Sequence, residues 1–125
     1  LSLKNNINGI ILTNTSDRNR DKLIDNQKKE KGGLSGQPIK DLSTKVIQKF
    51  YKKLNGKIPI IGVGGVDSGE AAFEKIAAGA SAVQLYTGMI YKGPMIVKEI
   101  KKELIIKLNE KGFNNISQAV GSNSN

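Results

Sequence analysis

Three short stretches of this chain place small hydrogen-bonding residues directly after apolar runs. Thr13-Asn14-Thr15 follows Gly9-Ile10-Ile11-Leu12, Gly64-Gly65 follows Pro59-Ile60-Ile61-Gly62-Val63, and Tyr86-Thr87-Gly88 follows Ala82-Val83-Gln84-Leu85. Each reads as a buried strand with polar groups at its carboxyl end. Gly64 and Gly65 bare the backbone so that a ligand can approach its amides. A glycine turn feeding a helix start presents free N–H groups and the positive end of the helix dipole, a cradle for an anion. A phosphate between Gly64-Gly65 and Tyr86-Thr87-Gly88 would take backbone N–H bonds and one hydroxyl bond from Thr87. Asn14 and Thr15 offer amide and hydroxyl groups to a polar substrate, and Ser35-Gly36 a segment that covers it. Each residue also has a plainer use: Asn14 as a turn residue bonded to its own backbone, Thr87 as a cap, Tyr86 as packing. Their joint placement at three strand ends favours the binding reading.

Composition narrows the chemistry. The 125 residues contain neither cysteine nor histidine, which removes disulfides, thiol nucleophiles, histidine bases and the usual zinc ligands, so no metal site is expected. Carboxylates, amides, hydroxyls, lysines or a bound cofactor must do the work. The net charge of +9 suits nucleic acid or an anionic membrane surface. However, Lys45, Lys49, Lys52, Lys53, Lys98, Lys101, Lys102 and Lys107 are dispersed along helical stretches, without aromatic residues interleaved to stack bases. A solvated outer face accounts for them, and no nucleic-acid partner is expected. No apolar run approaches the roughly 18 residues of a membrane span.

The elements that position the polar ends follow in order. Residues 1–8 read as the tail of an earlier element, and 9–15 as the first strand. Residues 17–31, charged and aperiodic, read as a long exposed loop, closed by the glycine-rich stretch 32–38. Asp41 or Ser43 caps a helix bearing Val46, Ile47, Phe50, Tyr51 and Leu54, which Asn55-Gly56 ends. After the central strand, Asp67 caps a helix over 71–78, with Glu70 completing a capping box. A third strand spans 82–88. A third helix runs from about Pro94 to Lys111 with Val97, Ile100, Leu104 and Leu108 on one face. Asn114 to Val120 adds a short turn, and the polar residues 121–125 read as a frayed tail.

Strands alternating with helices imply an α/β fold with parallel pairing through right-handed crossovers. Three strands do not close a barrel, and a (β/α)8 domain needs about 250 residues. Residues 1–125 therefore read as one partial domain, the carboxyl-terminal half of a (β/α)8 TIM barrel, with its polar residues on the face where such barrels hold their sites.

Thr13-Asn14-Thr15, Gly32-Gly33-Leu34-Ser35-Gly36-Gln37-Pro38, residues 59–65 and residues 79–87 together resemble the dihydroorotate dehydrogenases, in order and at the family's spacing. Gln84-Leu85-Tyr86-Thr87 and Lys92-Gly93-Pro94 are most similar to class 2, the membrane-associated, quinone-reducing branch. The resemblance implies an FMN cofactor contacted by Thr13, Gly36, Gly65, Tyr86 and Thr87, its phosphate held by Gly64, Gly65 and the Tyr86-Thr87 pair. It implies that Asn14 and Thr15 hydrogen-bond dihydroorotate or orotate, and that quinone takes up the electrons, in pyrimidine (UMP) biosynthesis. The family's base, a serine in class 2, lies upstream of Leu1, so no catalytic residue is assigned here. Ser35, Ser43 and Ser68 are not promoted to that role. An amino-terminal half of the barrel is the implied partner. Peripheral attachment to a cytoplasmic or mitochondrial inner membrane is the implied location. The alternatives are a catalytically silent remnant of that enzyme, another phosphate-binding barrel flavoenzyme, and a basic module for nucleic acid or lipid.

Overall fold

The structure, a computed structural model, describes residues 6–18 and 20–124. Three strands, β1 (Ile10–Leu12), β2 (Ile60–Val63) and β3 (Ala82–Gln84), form one parallel sheet in sequence order. The helices are α1 (Lys40–Leu54), α2 (Gly69–Ala77), α3 (Thr87–Lys92), α4 (Ile96–Glu110) and α5 (Ile116–Ala119).

Alternation along the strands divides the sheet into a covered and an open face. Ile60 is fully buried with Ile47 and Leu54 of α1 and with Ala78 and Ala80; Ile10 and Leu12 pack against the same cluster. Val83 packs against two neighbouring clusters, one with Phe73 and Ile76 of α2 and Leu104 of α4, the other with Ala72 and Ile100. The opposite face carries Ile11, Ile61 and Ala82, which stand opposite one another in register. Ile11 is 61% exposed there. One apolar sheet face is thus left uncovered by the described residues.

Several expectations are corrected. The first and third strands are shorter than expected, and residues 87–92 form helix α3 instead of extending β3. Helix α1 has no side-chain cap; a 3-10 turn over Gln37–Ile39 leads into it. Ser43 lies one turn inside that helix and is buried. At α2 the cap is Ser68, whose Oγ accepts from the Ala71 amide at 3.1 Å. Asp67 instead accepts from Gln37 Nε2, and Glu70 pairs with Lys107 of α4. The Gly69 amide donates to Glu103 of α4 at 2.5 Å, so a neighbouring helix completes the cap. On α4 the buried row is Ile96, Ile100, Leu104 and Leu108; Val97 is exposed. Four-residue steps from Ile96 fit a single helical stripe better than a start at Val97.

The frayed tail is also corrected. The amides of Gly121 and Asn123 donate to the carbonyls of Ile76 and Ala77 at the carboxyl end of α2, the Ile76 carbonyl being shared with the Gly79 amide. Ser124 is buried and donates to Ala78 O at 3.1 Å, while Gln48 of α1 donates to Asn123 O. Asn125 lies outside the described residues, as do residues 1–5 of the expected upstream tail.

Candidate functional site

In register, Leu12 stands beside Gly62, and Val63 beside Gln84. All three strands therefore end at one level, and the segments that follow them leave the sheet side by side. They surround a cavity of about 770 Å³, within the range of small-molecule and cofactor sites. Thr13, Asn14, Thr15, Gly36, Gly64, Gly65, Tyr86 and Thr87 all line it. The structure thus brings together every site residue singled out in the sequence.

Gly64 and Gly65 have φ values of 109° and 71°, backbone that L side chains rarely adopt. A Cβ on Gly64 would stand 2.9 Å from Ser43 Oγ, and one on Gly65 only 2.8 Å from Lys40 Cα. The bareness of this turn thus has a packing cause in the protein itself. The space a side chain would take at Gly64-Gly65 is filled by the first turn of α1. Both glycines line the cavity while α1 packs against the turn.

The glycine-rich stretch after the exposed segment is pinned on both sides. Ser16 and Leu34 exchange two backbone hydrogen bonds, of 3.0 and 2.7 Å, which lay the stretch against Thr13-Asn14-Thr15. A side chain on Gly33 would collide with the Thr15 hydroxyl. On the far side, Thr87 Oγ1 donates to Ser35 Oγ at 2.9 Å. The Gln37 amide donates to the Asp67 carboxylate at 2.7 Å, and Lys92 Nζ to the Asp67 carbonyl at 2.9 Å. Residues 17–31 contain two 3-10 turns, and the Arg20 guanidinium donates to the carbonyls of Lys28, Glu30 and Gly32. One cation thus gathers the segment leading into the glycine stretch.

The plainer uses divide among the residues. Asn14 Oδ1 does accept from the Thr15 amide at 2.8 Å, which occupies its oxygen. Thr13 Oγ1 makes a long bond of 3.4 Å to Val63 O. Tyr86 is 76% exposed at the cavity mouth, so it is not ordinary packing. Thr87 does not cap α3, whose N-cap position is Tyr86 with no side-chain cap bond.

Sequence reasoning missed Gln37, Asp67 and Lys92 as members of the cavity wall. In the sequence Lys92 stands out only beside Gly93-Pro94, and its basic charge on a short glycine-flanked segment is the signal for a place at the cavity. It also missed Lys75. This lysine of α2 is fully buried, and its ammonium donates to Ser43 Oγ at 2.6 Å, Thr44 Oγ1 at 3.0 Å and Lys40 O at 3.4 Å. Burial lowers its pKa to about 8, opposed by the Glu74 carboxylate and assisted by the Lys40 ammonium. Lys40 itself pairs with Glu74 at 3.1 Å, and that bond raises its pKa. Among the described residues, no cluster of three acidic side chains could hold a metal ion.

A profile of the dihydroorotate dehydrogenase family matches residues 1–108. The mitochondrial dihydroorotate dehydrogenase (quinone) of Mus musculus is 50% identical over 115 residues, which is 92% of this chain and 29% of that protein. The dihydroorotate dehydrogenase (quinone) of Nostoc punctiforme is 51% identical over 124 residues, 93% of this chain and 33% of its own length. The ligand-free crystal structure of the Eimeria tenella enzyme superposes with a TM-score of 0.94 at 43% identity, covering 98% of this chain and 34% of that one. The chain therefore spans about a third of the length of these relatives, a smaller share than the half expected. Its three βα units are one segment of their (β/α)8 barrel.

Proposed function

Because the chain belongs to the dihydroorotate dehydrogenase family, we propose that it forms the phosphate-holding and substrate-contacting segment of an FMN-dependent, quinone-reducing enzyme of pyrimidine biosynthesis. The observation that carries this reading is the gathering of all eight singled-out residues around one cavity at the carboxyl ends of three parallel strands. Its donor set suits a phosphorylated, polar ring cofactor. The cavity wall offers hydroxyls from Thr13, Thr15, Ser35 and Thr87, an amide from Asn14, an ammonium from Lys92, and backbone at Gly64, Gly65 and Gly88.

FMN, when bound, supplies the redox chemistry, accepting hydride from C6 of dihydroorotate and passing the electrons to quinone. The chain's own residues bind and orient. The backbone at Gly64-Gly65 and Thr87-Gly88 holds the phosphate from two sides, with the Thr87 hydroxyl beside it. Gly36 and Thr13 border the cofactor, and the exposed Tyr86 covers the mouth. Asn14 and Thr15 hydrogen-bond the substrate; with its oxygen on the Thr15 amide, Asn14 has its NH2 group to offer.

No residue of this chain is given the role of base. Ser43 is buried against Lys75, Ser68 caps α2, and Ser35 accepts from Thr87. The base, the quinone site and peripheral membrane attachment belong to other parts of the enzyme in this reading. Two relatives carry the description mitochondrial. No helix among the described residues is long and apolar enough to cross a membrane. The uncovered face at Ile11, Ile61 and Ala82 is where the remaining barrel strands would close the core.

The test is reconstitution. Residues 1–125 alone, given dihydroorotate, FMN and a soluble quinone, should show no turnover, since general-base catalysis typically contributes about 10²–10⁴-fold. Joined to the amino-terminal portion of a relative, they should regain it. In that enzyme Asn14→Ala should slow dihydroorotate oxidation far more than it lowers flavin content. Turnover by residues 1–125 alone, or flavin loss as the main effect of Asn14→Ala, would overturn the assignment.

A further inference from the structure

Lys75 is the one fully buried lysine among the described residues, and the function proposed above leaves it unused. It sits behind the site, between α1, α2 and β2. Its Cδ would stand 3.4 Å from a Cβ added at Gly62, and its ammonium reaches the first turn of α1. No carboxylate bonds it directly. Its three protons go to the Ser43 hydroxyl, the Thr44 hydroxyl and the Lys40 carbonyl.

Counting protons fixes the direction of the next bond. A serine hydroxyl has one proton, and an ammonium can only donate. Ser43 Oγ must therefore accept from Lys75, and its own proton is free for one of two carbonyls, Gly64 at 3.0 Å or Lys40 at 2.9 Å. The Lys40 carbonyl already accepts from Thr44 Oγ1 at 2.8 Å and from Lys75. The Gly64 carbonyl is the better destination. A peptide unit is planar and here trans, so holding the Gly64 carbonyl toward Ser43 turns the Gly65 N–H the opposite way, off α1.

We propose that Lys75 is a positioning residue, which through Ser43 fixes the Gly64-Gly65 peptide so that the Gly65 amide faces the cofactor phosphate. The proposal rests on the phosphate-holding role given above to this turn. It carries a protonation dependence. A neutral Lys75 amine has a lone pair, and the Ser43 proton then turns to Lys75 Nζ and leaves the Gly64 carbonyl. The charged groups facing Lys75 are Lys40 and Asp41 from α1 and Glu74 from α2; β2 contributes only Gly62 at the contact. Together with burial they leave its pKa at about 8, so the switch falls in a range where the phosphate itself is already fully ionised.

The test measures flavin dissociation constants in the complete enzyme, for FMN and for riboflavin, which lacks the phosphate, between pH 7.5 and 9.5. Wild-type affinity for FMN should fall severalfold across that range while riboflavin affinity stays flat. Lys75→Met, of similar length and apolar, should bind FMN about tenfold more weakly at pH 7.5, lose the pH dependence, and bind riboflavin as before. Ser43→Ala keeps the lysine and should flatten the profile too, so the result does not hang on one variant's folding. Wild-type FMN affinity and profile in Lys75→Met, or equal losses for FMN and riboflavin, would overturn the relay. A wild-type enzyme that binds FMN no better than riboflavin overturns the phosphate grip itself, and the relay with it, before any variant is made.

Discussion

Thr87 Oγ1 donates to Ser35 Oγ across the mouth of the cavity at 2.9 Å, joining the start of α3 to the glycine-rich stretch that precedes α1. The two segments are far apart in sequence, and a Cβ on Gly36 would already stand 2.9 Å from the Thr87 methyl. The hydroxyl thus serves two ends: it closes the wall around the cavity, and it stands beside the backbone proposed to hold phosphate.

Thr87→Ala should therefore weaken FMN binding modestly. A neutral hydrogen bond is worth about 0.5–1.5 kcal/mol net, so roughly three- to tenfold weaker retention is expected. Flavin content after gel filtration measures it. Thr87→Ser keeps the hydroxyl and should restore most of the loss. Full retention in Thr87→Ala would remove Thr87 from the binding wall.

Gly65→Ala should behave differently, because its cost is carried by the protein before any ligand arrives. The new Cβ meets Lys40 Cα at 2.8 Å and the Gly36 carbonyl at 3.0 Å, at a φ of 71°. Strain at such a site costs on the order of 1–3 kcal/mol. The flavin-free enzyme should melt at a lower temperature than wild type, unlike Thr87→Ala. An unchanged melting temperature would mean that α1 does not press on the turn as described.

Much of this arrangement was legible in the sequence. Apolar runs ending in Thr13-Asn14-Thr15, Gly64-Gly65 and Tyr86-Thr87 carry both the strand pattern and the polar ends, so fold and site residues came from one signal. What hid was set by tertiary contacts. Lys75 carries no local mark of burial, since nothing near it in the sequence shows that two hydroxyls and a carbonyl of α1 will surround it. Gly88 and Gly93 break the helical pattern of α3. The tail after Gly121 reads as frayed because its partners are backbone carbonyls at the end of a helix some 45 residues earlier, and backbone acceptors leave no mark in side-chain patterning. Ser68 is the cap because α2 begins at Gly69, while Asp67 is bonded to Gln37.

Lys75 also sets a pH dependence of stability. Its pKa falls from 10.5 to about 8 on folding, so between these values the unfolded chain holds a proton that the folded one has released. Stability then rises with pH through that window. In the flavin-free enzyme, urea unfolding of wild type should gain on Lys75→Met by on the order of 2 kcal/mol between pH 8 and 10. The sign is opposite to that expected for FMN affinity over the same range. A constant difference between the two proteins would show that Lys75 titrates near its ordinary value.

The central claim is that this chain holds the cofactor phosphate between two strand-end turns. The position of that phosphate in a crystal structure of the complete, flavin-loaded enzyme tests it most directly. The account predicts phosphate oxygens within hydrogen-bond distance, about 2.7–3.2 Å, of backbone amides at Gly64-Gly65 and at Thr87-Gly88. A phosphate bonded to neither turn, with the cavity between them filled by water or side chains, would contradict it.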